Sequence, residues 1–318
     1  MLEVNGDWEQ DDGHPCYHTL EDYEGGVARW CPGCGDLAVL TAVQKICRDE
    51  QLAPEKVVAV SGIGCASRFP HYMATYGFHG LHGRALPVAC GVKARRPDLH
   101  VWVATGDGDC CSIGAGHWIH AIRYNMDITV MLFDNKIYGL TKKQSSPTSP
   151  LGLTTNTHPE GIFLPPLDPI QATLGFTNAS FVAQTVDWNP MHLQATLDAA
   201  YRHRGTSFVR ILQRCPTYTS SIYDELQRDP TKLLMLTHEN GIMGDPALQR
   251  VFTNRRPHDP ADLRQARILA EQTDPLPIGL FFHDETRPTY DVFTNEGLDM
   301  SIEERLEGLN RELDRFLV

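Results

Sequence analysis

The chain has 318 residues, enough for one large hydrophobic core or two smaller ones, and its 40 acidic against 28 basic residues leave a net charge of −12. That negative excess speaks against nucleic acid and anionic membrane surfaces as partners. No apolar run approaches a membrane span, the polar N-terminus has no signal-peptide pattern, and the nine unevenly grouped cysteines do not form a secreted disulfide framework, so a reducing cytoplasm is expected.

Residues 1–29 are acidic, carry Gly, His and Pro without periodicity, and read as an irregular arm in which Cys16 is a plain thiol. Trp30-Cys31-Pro32-Gly33-Cys34-Gly35-Asp36 follows. Asp36 is placed to cap a helix whose apolar positions Leu37, Leu40, Val43 and Ile46 recur at helical spacing. A Cys-x-x-Cys just ahead of a helix reads as a redox dithiol, a zinc knuckle or a pair of iron–sulfur ligands. The apolar run from Val57 to Val60 is a strand that leads through Ser61-Gly62-Ile63-Gly64 to Cys65, with Arg68 just beyond. His82-Gly83-Arg84 precedes a helix that ends before Pro97.

The stretch from Gly106 to Tyr138 is the densest in signals. Gly106-Asp107-Gly108-Asp109 follows the strand Val101–Ala104, Asp134-Asn135 follows the strand Ile128–Phe133, and Ile113–Tyr124 between them is of helix length. Loops at the carboxyl ends of parallel strands share one edge of the sheet. Glycines there let backbone N–H groups approach a diphosphate. Asp107 and Asn135 can both offer oxygen to one hard cation, the ligand type Mg²⁺ prefers. The plain alternative is an ordinary βαβ turn with a solvated Asp.

Residues 145–170, rich in Ser, Thr and Pro, form a long irregular loop of the sort that covers an active site. A strand at Phe181–Ala183, a helix around His192–Arg202 and a strand at Phe208–Leu212 continue the α/β pattern and deliver Cys215 to the same edge as Cys65. Cys31, Cys34, Cys65 and Cys215 therefore make a credible cysteine-only site, while Cys47, Cys90, Cys110 and Cys111 read as buried free thiols. Asp259–Gln272 is a helix and Leu276–Phe282 an apolar strand. Ser301-x-x-Glu304 is a capping box opening a helix with Ile302, Leu306, Leu309, Leu313 and Phe316 along one face, which is expected to pack on the domain or on a partner. There is no internal repeat. The fold class is α/β, a largely parallel sheet with helices on both faces, divided into an arm (1–29), a ligand-binding domain (30–225) and an extension (226–318).

Trp30-Cys-Pro-Gly-Cys-Gly, Gly62-Ile-Gly-Cys-Ala-Ser-Arg, Leu81-His-Gly-Arg-Ala, Gly106-Asp-Gly-Asp and Tyr138-Gly-Leu-Thr, in this order over residues 28–220, resemble the β subunit of the 2-oxoacid:ferredoxin oxidoreductases. The resemblance implies a thiamine-diphosphate-binding fold. It places Asp107, Asn135 and the carbonyl of Ile137 on Mg²⁺, and Cys31, Cys34, Cys65 and Cys215 around a 4Fe–4S cluster. Ile63, Gly64, Cys65, Ala66 and His82 fall against the cofactor, as do Gly106, Gly108, Asp109, Gly139 and Leu140. Arg68 falls near the distal end of the substrate. Family members that use pyruvate tend to have a polar Asn where Leu140 stands, so Leu140 and Arg68 together resemble the 2-oxoglutarate type.

The implied reaction is oxidative decarboxylation of 2-oxoglutarate to succinyl-CoA, with electrons leaving through the cluster to ferredoxin, and it is reversible. The carboxylate that activates thiamine diphosphate lies on a companion α subunit in this family, so an (αβ)₂ assembly, inactive as the lone chain, is expected. Lys142 and Lys143 add positive charge helpful to an acidic substrate or CoA. Two positions depart from the common pattern: Asp134 stands for a first Asn, and Lys143 stands where many members have Gly, which bears on the shape of that loop. The remaining alternatives are a pyruvate- or indolepyruvate-type β subunit and a non-catalytic zinc module.

Overall fold

The computed structural model describes residues 17–239, 242, 246–290 and 301–316. Nine strands form one sheet: β1 Val57–Ser61, β2 Tyr76–His79, β3 His100–Gly106, β4 Ile128–Asp134, β5 Phe181–Val186, β6 Thr206–Leu212, β7 Leu233–Thr237, β8 Arg255–Pro257 and β9 Leu276–His283. Their order across the sheet is β2-β1-β3-β4-β6-β5-β9-β7-β8. The first six run parallel to one another. β9 pairs antiparallel with β5, and β7 and β8 follow the direction of β9. The sheet thus has two parallel blocks pointing opposite ways.

The strand sequences explain this architecture. VVAVS, ITVMLFD and TSFVRIL are mostly apolar and buried at every position, as a parallel strand covered on both faces requires. Alternate residues face opposite ways. Val57, Ala59, Trp102, Ala104 and Met131 pack with helices α1 (Asp36–Asp49) and α5 (Pro190–Arg202) on one face. Val58, Val60, Val101, Val103 and Val130 pack with α2 (Ala85–Arg95), α3 (Ala115–Tyr124) and α4 (Pro169–Gly175) on the other, joined by α8 (Leu263–Glu271). Two short helices, α6 (Asp224–Arg228) and α7 (Pro246–Val251), flank β7. The two outer strands, β2 and β8, are exposed along their whole length.

Helix α9 (Ile302–Asp314) begins with the expected capping box, Ser301 Oγ accepting from Glu304 N–H at 3.2 Å and Glu304 Oε2 from Ser301 N–H at 2.7 Å. Its Leu306, Leu309, Leu313 and Phe316 are exposed, so this stripe is not packed against the described residues. The local reading of Asp36 is corrected: it is the first residue of α1, fully buried, and makes no cap bond. The helix expected from Ile113 is preceded by a turn of π-helix at Asp109–Ile113 and starts at Ala115. Cys16 lies outside the described residues; Cys47, Cys110 and Cys111 are buried free thiols and Cys90 is partly buried. Among the described residues no helix is long and apolar enough to cross a membrane.

Candidate active site

β1, β3, β4 and β6 end on one edge, and the four loops that leave them line two adjoining cavities. The first has a volume of about 320 Å³. Ile63, Gly64, Cys65 and Ala66 reach it from the end of β1, Gly106, Asp107, Gly108 and Asp109 from β3, and Asn135, Ile137, Tyr138, Gly139 and Leu140 from β4. His82 comes from the segment before α2. The second, of about 210 Å³, is lined by Cys31, Cys34, Cys65 and Cys215 together with Arg68. Cys65, Asn135, Gly139 and Leu140 belong to both. Four cysteines spread over the chain thus surround one space that abuts the glycine turn. Arg68 stands in the second cavity and not in the first.

The glycine turn is held by a buried hub. Asp109 Oδ1 accepts from Ile63 N–H at 3.0 Å, Gly83 N–H at 2.7 Å and His82 Nδ1 at 2.7 Å, while Oδ2 accepts from Thr105 Oγ1 at 2.7 Å. One carboxylate ties together three loops. Its contact with His82 Nδ1 leaves that ring's Nε2 for the cavity. Gly83 adopts φ +69°, and a Cβ there would collide with Gly114 N at 2.6 Å, so only glycine lets the loop approach the start of α3.

Asp107 is 2 % exposed, and its Oδ2 accepts from Ser146 Oγ at 2.5 Å and Thr148 Oγ1 at 2.7 Å. Burial, then the neighbouring Asp134, push its carboxyl up to about 7. Thr148 Oγ1 also lies 2.8 Å from Asp134 Oδ1. Burial alone would raise Asp134, but Lys136 and Arg210 outweigh it and hold it at about 2. Arg210, the one charged residue of β6, reaches Asp134 Oδ2 through Nε at 2.7 Å and Asp168 Oδ2 through Nη1 at 3.0 Å. The residues 145–150 are therefore fastened over the turn by a charged network that no sequence motif marks. Asn135 Oδ1 accepts from Ile137 N–H at 3.1 Å, which sets the turn that carries the Ile137 carbonyl.

The donors fit the groups the motifs imply. Asp107, Asn135 and the Ile137 carbonyl are all oxygen ligands, suited to a hard divalent cation that would also offset the cost of burying Asp107. A side chain on Gly106 would meet no protein atom within 4 Å, so the wall of the cavity is open there to a diphosphate. Around the cysteines, Gln213 Nε2 lies 3.4 Å from Cys34 Sγ and Thr217 Oγ1 3.4 Å from Cys31 Sγ, contacts that would suit thiolates. Burial, then Asp36, push the Cys65 thiol up to about 12 and Cys34 higher still, so ligation there must release protons. Among the described residues no three His, Cys, Asp or Glu side chains converge on a point that would hold a single ion; the four cysteines line a cavity, a shape suited to a cluster in which each thiolate takes its own iron.

The loop after Gly139 is a tight turn in which Tyr138 N–H donates to the Gln144 carbonyl at 2.9 Å. Lys142 and Lys143 both take left-handed backbone, φ +76° and +65°. The lysine at 143 thus keeps the conformation that a glycine would adopt without strain.

Residues 57–211 match the family model of the thiamine pyrophosphate enzyme C-terminal TPP-binding domain. Residues 249–296 match that of the C-terminal part of the pyruvate ferredoxin oxidoreductase beta chain. The protein is 39% identical over 288 residues to 2-oxoglutarate oxidoreductase subunit KorB of Mycobacterium tuberculosis, covering 83% of this chain and 77% of that protein. It is 37% identical over 274 residues to the 2-oxoacid:ferredoxin oxidoreductase subunit beta of Saccharolobus solfataricus, covering 82% and 84%. The solved 2-oxoglutarate:ferredoxin oxidoreductase from Magnetococcus marinus, with 2-oxoglutarate, coenzyme A and succinyl-CoA bound, superposes with a TM-score of 0.77 at 34% identity, over 92% of this chain and 96% of that one.

Proposed function

The chain belongs to the β subunits of the 2-oxoacid:ferredoxin oxidoreductases, and from that premise we propose that it serves the CoA-dependent oxidative decarboxylation of 2-oxoglutarate, passing electrons through a 4Fe–4S cluster to ferredoxin. The observation that carries this reading is the shared wall: Cys65 and Gly139 line both the glycine-turn cavity and the cysteine cavity. When bound, thiamine diphosphate supplies the carbanion chemistry by which a 2-oxoacid loses CO₂, and the cluster supplies a one-electron outlet beside it.

The residues that line the two cavities have definable tasks. Asp107, Asn135 and the Ile137 carbonyl would hold Mg²⁺ for the diphosphate, and Ser146 and Thr148 orient Asp107 for that task. Asp109 holds the loops at Ile63 and Gly83 at a fixed distance from the Gly106–Gly108 turn and fixes the His82 ring, whose Nε2 would serve the diphosphate. Leu140, half-exposed between the two cavities, offers no hydrogen bond through its side chain and shapes the space for a longer substrate. Arg68 pairs with the distal carboxylate.

The cofactor cavity has two carboxylates among its described lining residues, Asp107 and Asp109, and both are committed: one to hydroxyls, the other to four donors. Neither is free to activate the aminopyrimidine ring. This supports a division of labour in which a partner α subunit brings that group. Purified chain supplied with 2-oxoglutarate, CoA, thiamine diphosphate, Mg²⁺ and a viologen dye should reduce nothing until the partner is added; turnover by the chain alone would refute the proposal. The pyruvate-type alternative is separated by kcat/KM on the two acids, with 2-oxoglutarate preferred.

A further inference from the structure

Of the oxygen donors to the expected cation, Asn135 and the Ile137 carbonyl ride on the short segment that leaves β4. A second segment, residues 215–223, follows the neighbouring strand β6 and grips the first. Tyr223 Oη donates to the Asp134 carbonyl at 2.8 Å, and Thr219 Oγ1 donates to the Asn135 carbonyl at 2.9 Å. A side chain on Gly139 would lie 3.4 Å from Cys65 Sγ, 3.7 Å from the Tyr218 ring and 3.9 Å from Cys215 Sγ, so the backbone there passes close to both sulfurs.

The second segment belongs to no strand or helix. Its backbone bonds are turns, from Thr219 N–H to the Cys215 carbonyl at 3.3 Å and from Ile222 N–H to the Thr219 carbonyl at 3.1 Å. Its side chains therefore do the anchoring. At one end the buried Tyr223 packs in the core with Val186, Leu212 and Leu233. At the other end stands the Cys215 sulfur. Thr219 is buried between these two anchors, and its hydroxyl is what meets the Asn135 backbone. It lines neither the glycine-turn cavity nor the cysteine cavity.

We infer that Thr219 is a positioning residue through which the cysteine cavity and the cation site act on each other: filling the first fixes residues 215–219, which hold the Asn135 carbonyl in place and so strengthen binding at the second. The inference rests on the reading of Cys215 as a cluster ligand and of Asn135 as a Mg²⁺ ligand. With the Cys215 sulfur bound, both ends of the segment are fixed. With it free, Tyr223 alone anchors the segment, and cation binding must bear the entropy cost of ordering the rest. Linkage makes the effect mutual, so a bound cation favours cluster binding by the same factor.

The test uses the full chain assembled with its partner subunit, purified anaerobically, and the same assembly after oxidant and chelator have removed its iron. Calorimetry gives the Mg²⁺ concentration that half-saturates thiamine diphosphate binding. In the parent, iron removal should raise it about tenfold, within the usual range for coupled sites. In Thr219→Val, which keeps the shape and removes the hydroxyl, it should already be raised with iron present, and iron removal should change it by less than about twofold. Thr219→Ser should restore the parental factor. Where iron removal unfolds the assembly, the reverse measurement decides: Mg²⁺ with thiamine diphosphate should slow bleaching of the brown protein by a chelator in the parent and in Thr219→Ser, but not in Thr219→Val. A parental response in Thr219→Val, or a parent in which neither site responds to the other, overturns the coupling. An iron-free, colourless assembly overturns the functional reading and the coupling together, a result distinct from iron present without coupling.

Discussion

Tyr138 closes the cofactor cavity onto Gly108: its hydroxyl donates to the Gly108 carbonyl at 2.8 Å, and its ring fills the space that a side chain at Gly108 would need. The two glycine-turn loops, from β3 and β4, are thereby locked to each other.

Gly108→Ala should force Tyr138 out of this position, at a cost of about 1–3 kcal/mol. The expected result is a lower Tm and at least a tenfold weaker affinity for thiamine diphosphate, read by titration of activity in the assembled enzyme. Tyr138→Phe removes only the hydroxyl and should cost about 1 kcal/mol. Parental cofactor affinity in Gly108→Ala would mean that the closure does not shape the cavity.

Asp109→Asn keeps the size of the hub and removes its charge. Its four donors lose a charged acceptor, and an amide N–H would face at least one of them. A loss of about 2–4 kcal/mol is expected, together with looser cofactor binding. Thermal unfolding checks the first and cofactor titration the second; a variant as stable as the parent sinks the account.

Asp107 gives a prediction with opposite signs for stability and function. Its folded carboxyl sits at about 7, above the ordinary 3.8, so the penalty to the fold is absent below about 4, grows as the pH rises from about 4 to about 7, and is fully present above that. Asp107→Asn, without metal or cofactor, should therefore unfold at higher temperature than the parent at pH 8, with the gain shrinking as the pH falls toward 5. The same variant should lose Mg²⁺-dependent cofactor binding. A gain that grows toward acid contradicts the assignment.

Cys215→Ala should abolish the broad brown absorbance near about 400 nm expected of thiolate-ligated iron in anaerobically purified protein, whereas Cys47→Ala, a buried thiol in the α1 core, should retain it. Equal chromophores in both would remove Cys215 from the cluster.

Lys143 holds φ +65°. Left-handed backbone costs an ordinary residue about 1–2 kcal/mol, while glycine gives back about 0.5–1 kcal/mol in unfolded-chain freedom. Lys143→Gly should therefore raise Tm slightly and Lys143→Val lower it. The reverse order would show that the loop takes another shape in solution.

The chain's order of elements was readable where strands are buried on both faces. Val57–Val60 is an unbroken apolar run, Ile128–Phe133 and Phe208–Leu212 are each interrupted by one polar residue, Thr129 and Arg210, and the loops that leave such strands must share an edge, which brings Cys65, Gly106, Asn135 and Cys215 together. What stayed illegible depends on contacts far apart in sequence. Asp36 has the local chemistry of a helix cap, but burial against Asp187 decides its state. Asp109 looks like a second turn residue; its role emerges only when Ile63, His82 and Gly83 arrive from other loops. Ser146 and Thr148 sit in a stretch whose composition says only loop. Asp134 was legible only as a departure from a pattern and Arg210 carries no motif; the two find each other because β4 and β6 are neighbours. β2 is four exposed residues without alternation, too weak a pattern to read.

The reversal between β5 and β9 has a practical corollary. The final block of strands sends its carboxyl ends to the pole opposite the glycine turns. A tether placed on that pole, to an affinity resin or to the conducting support of a bioelectrode, would present the cysteine-lined edge outward, with its approach by small carriers unobstructed.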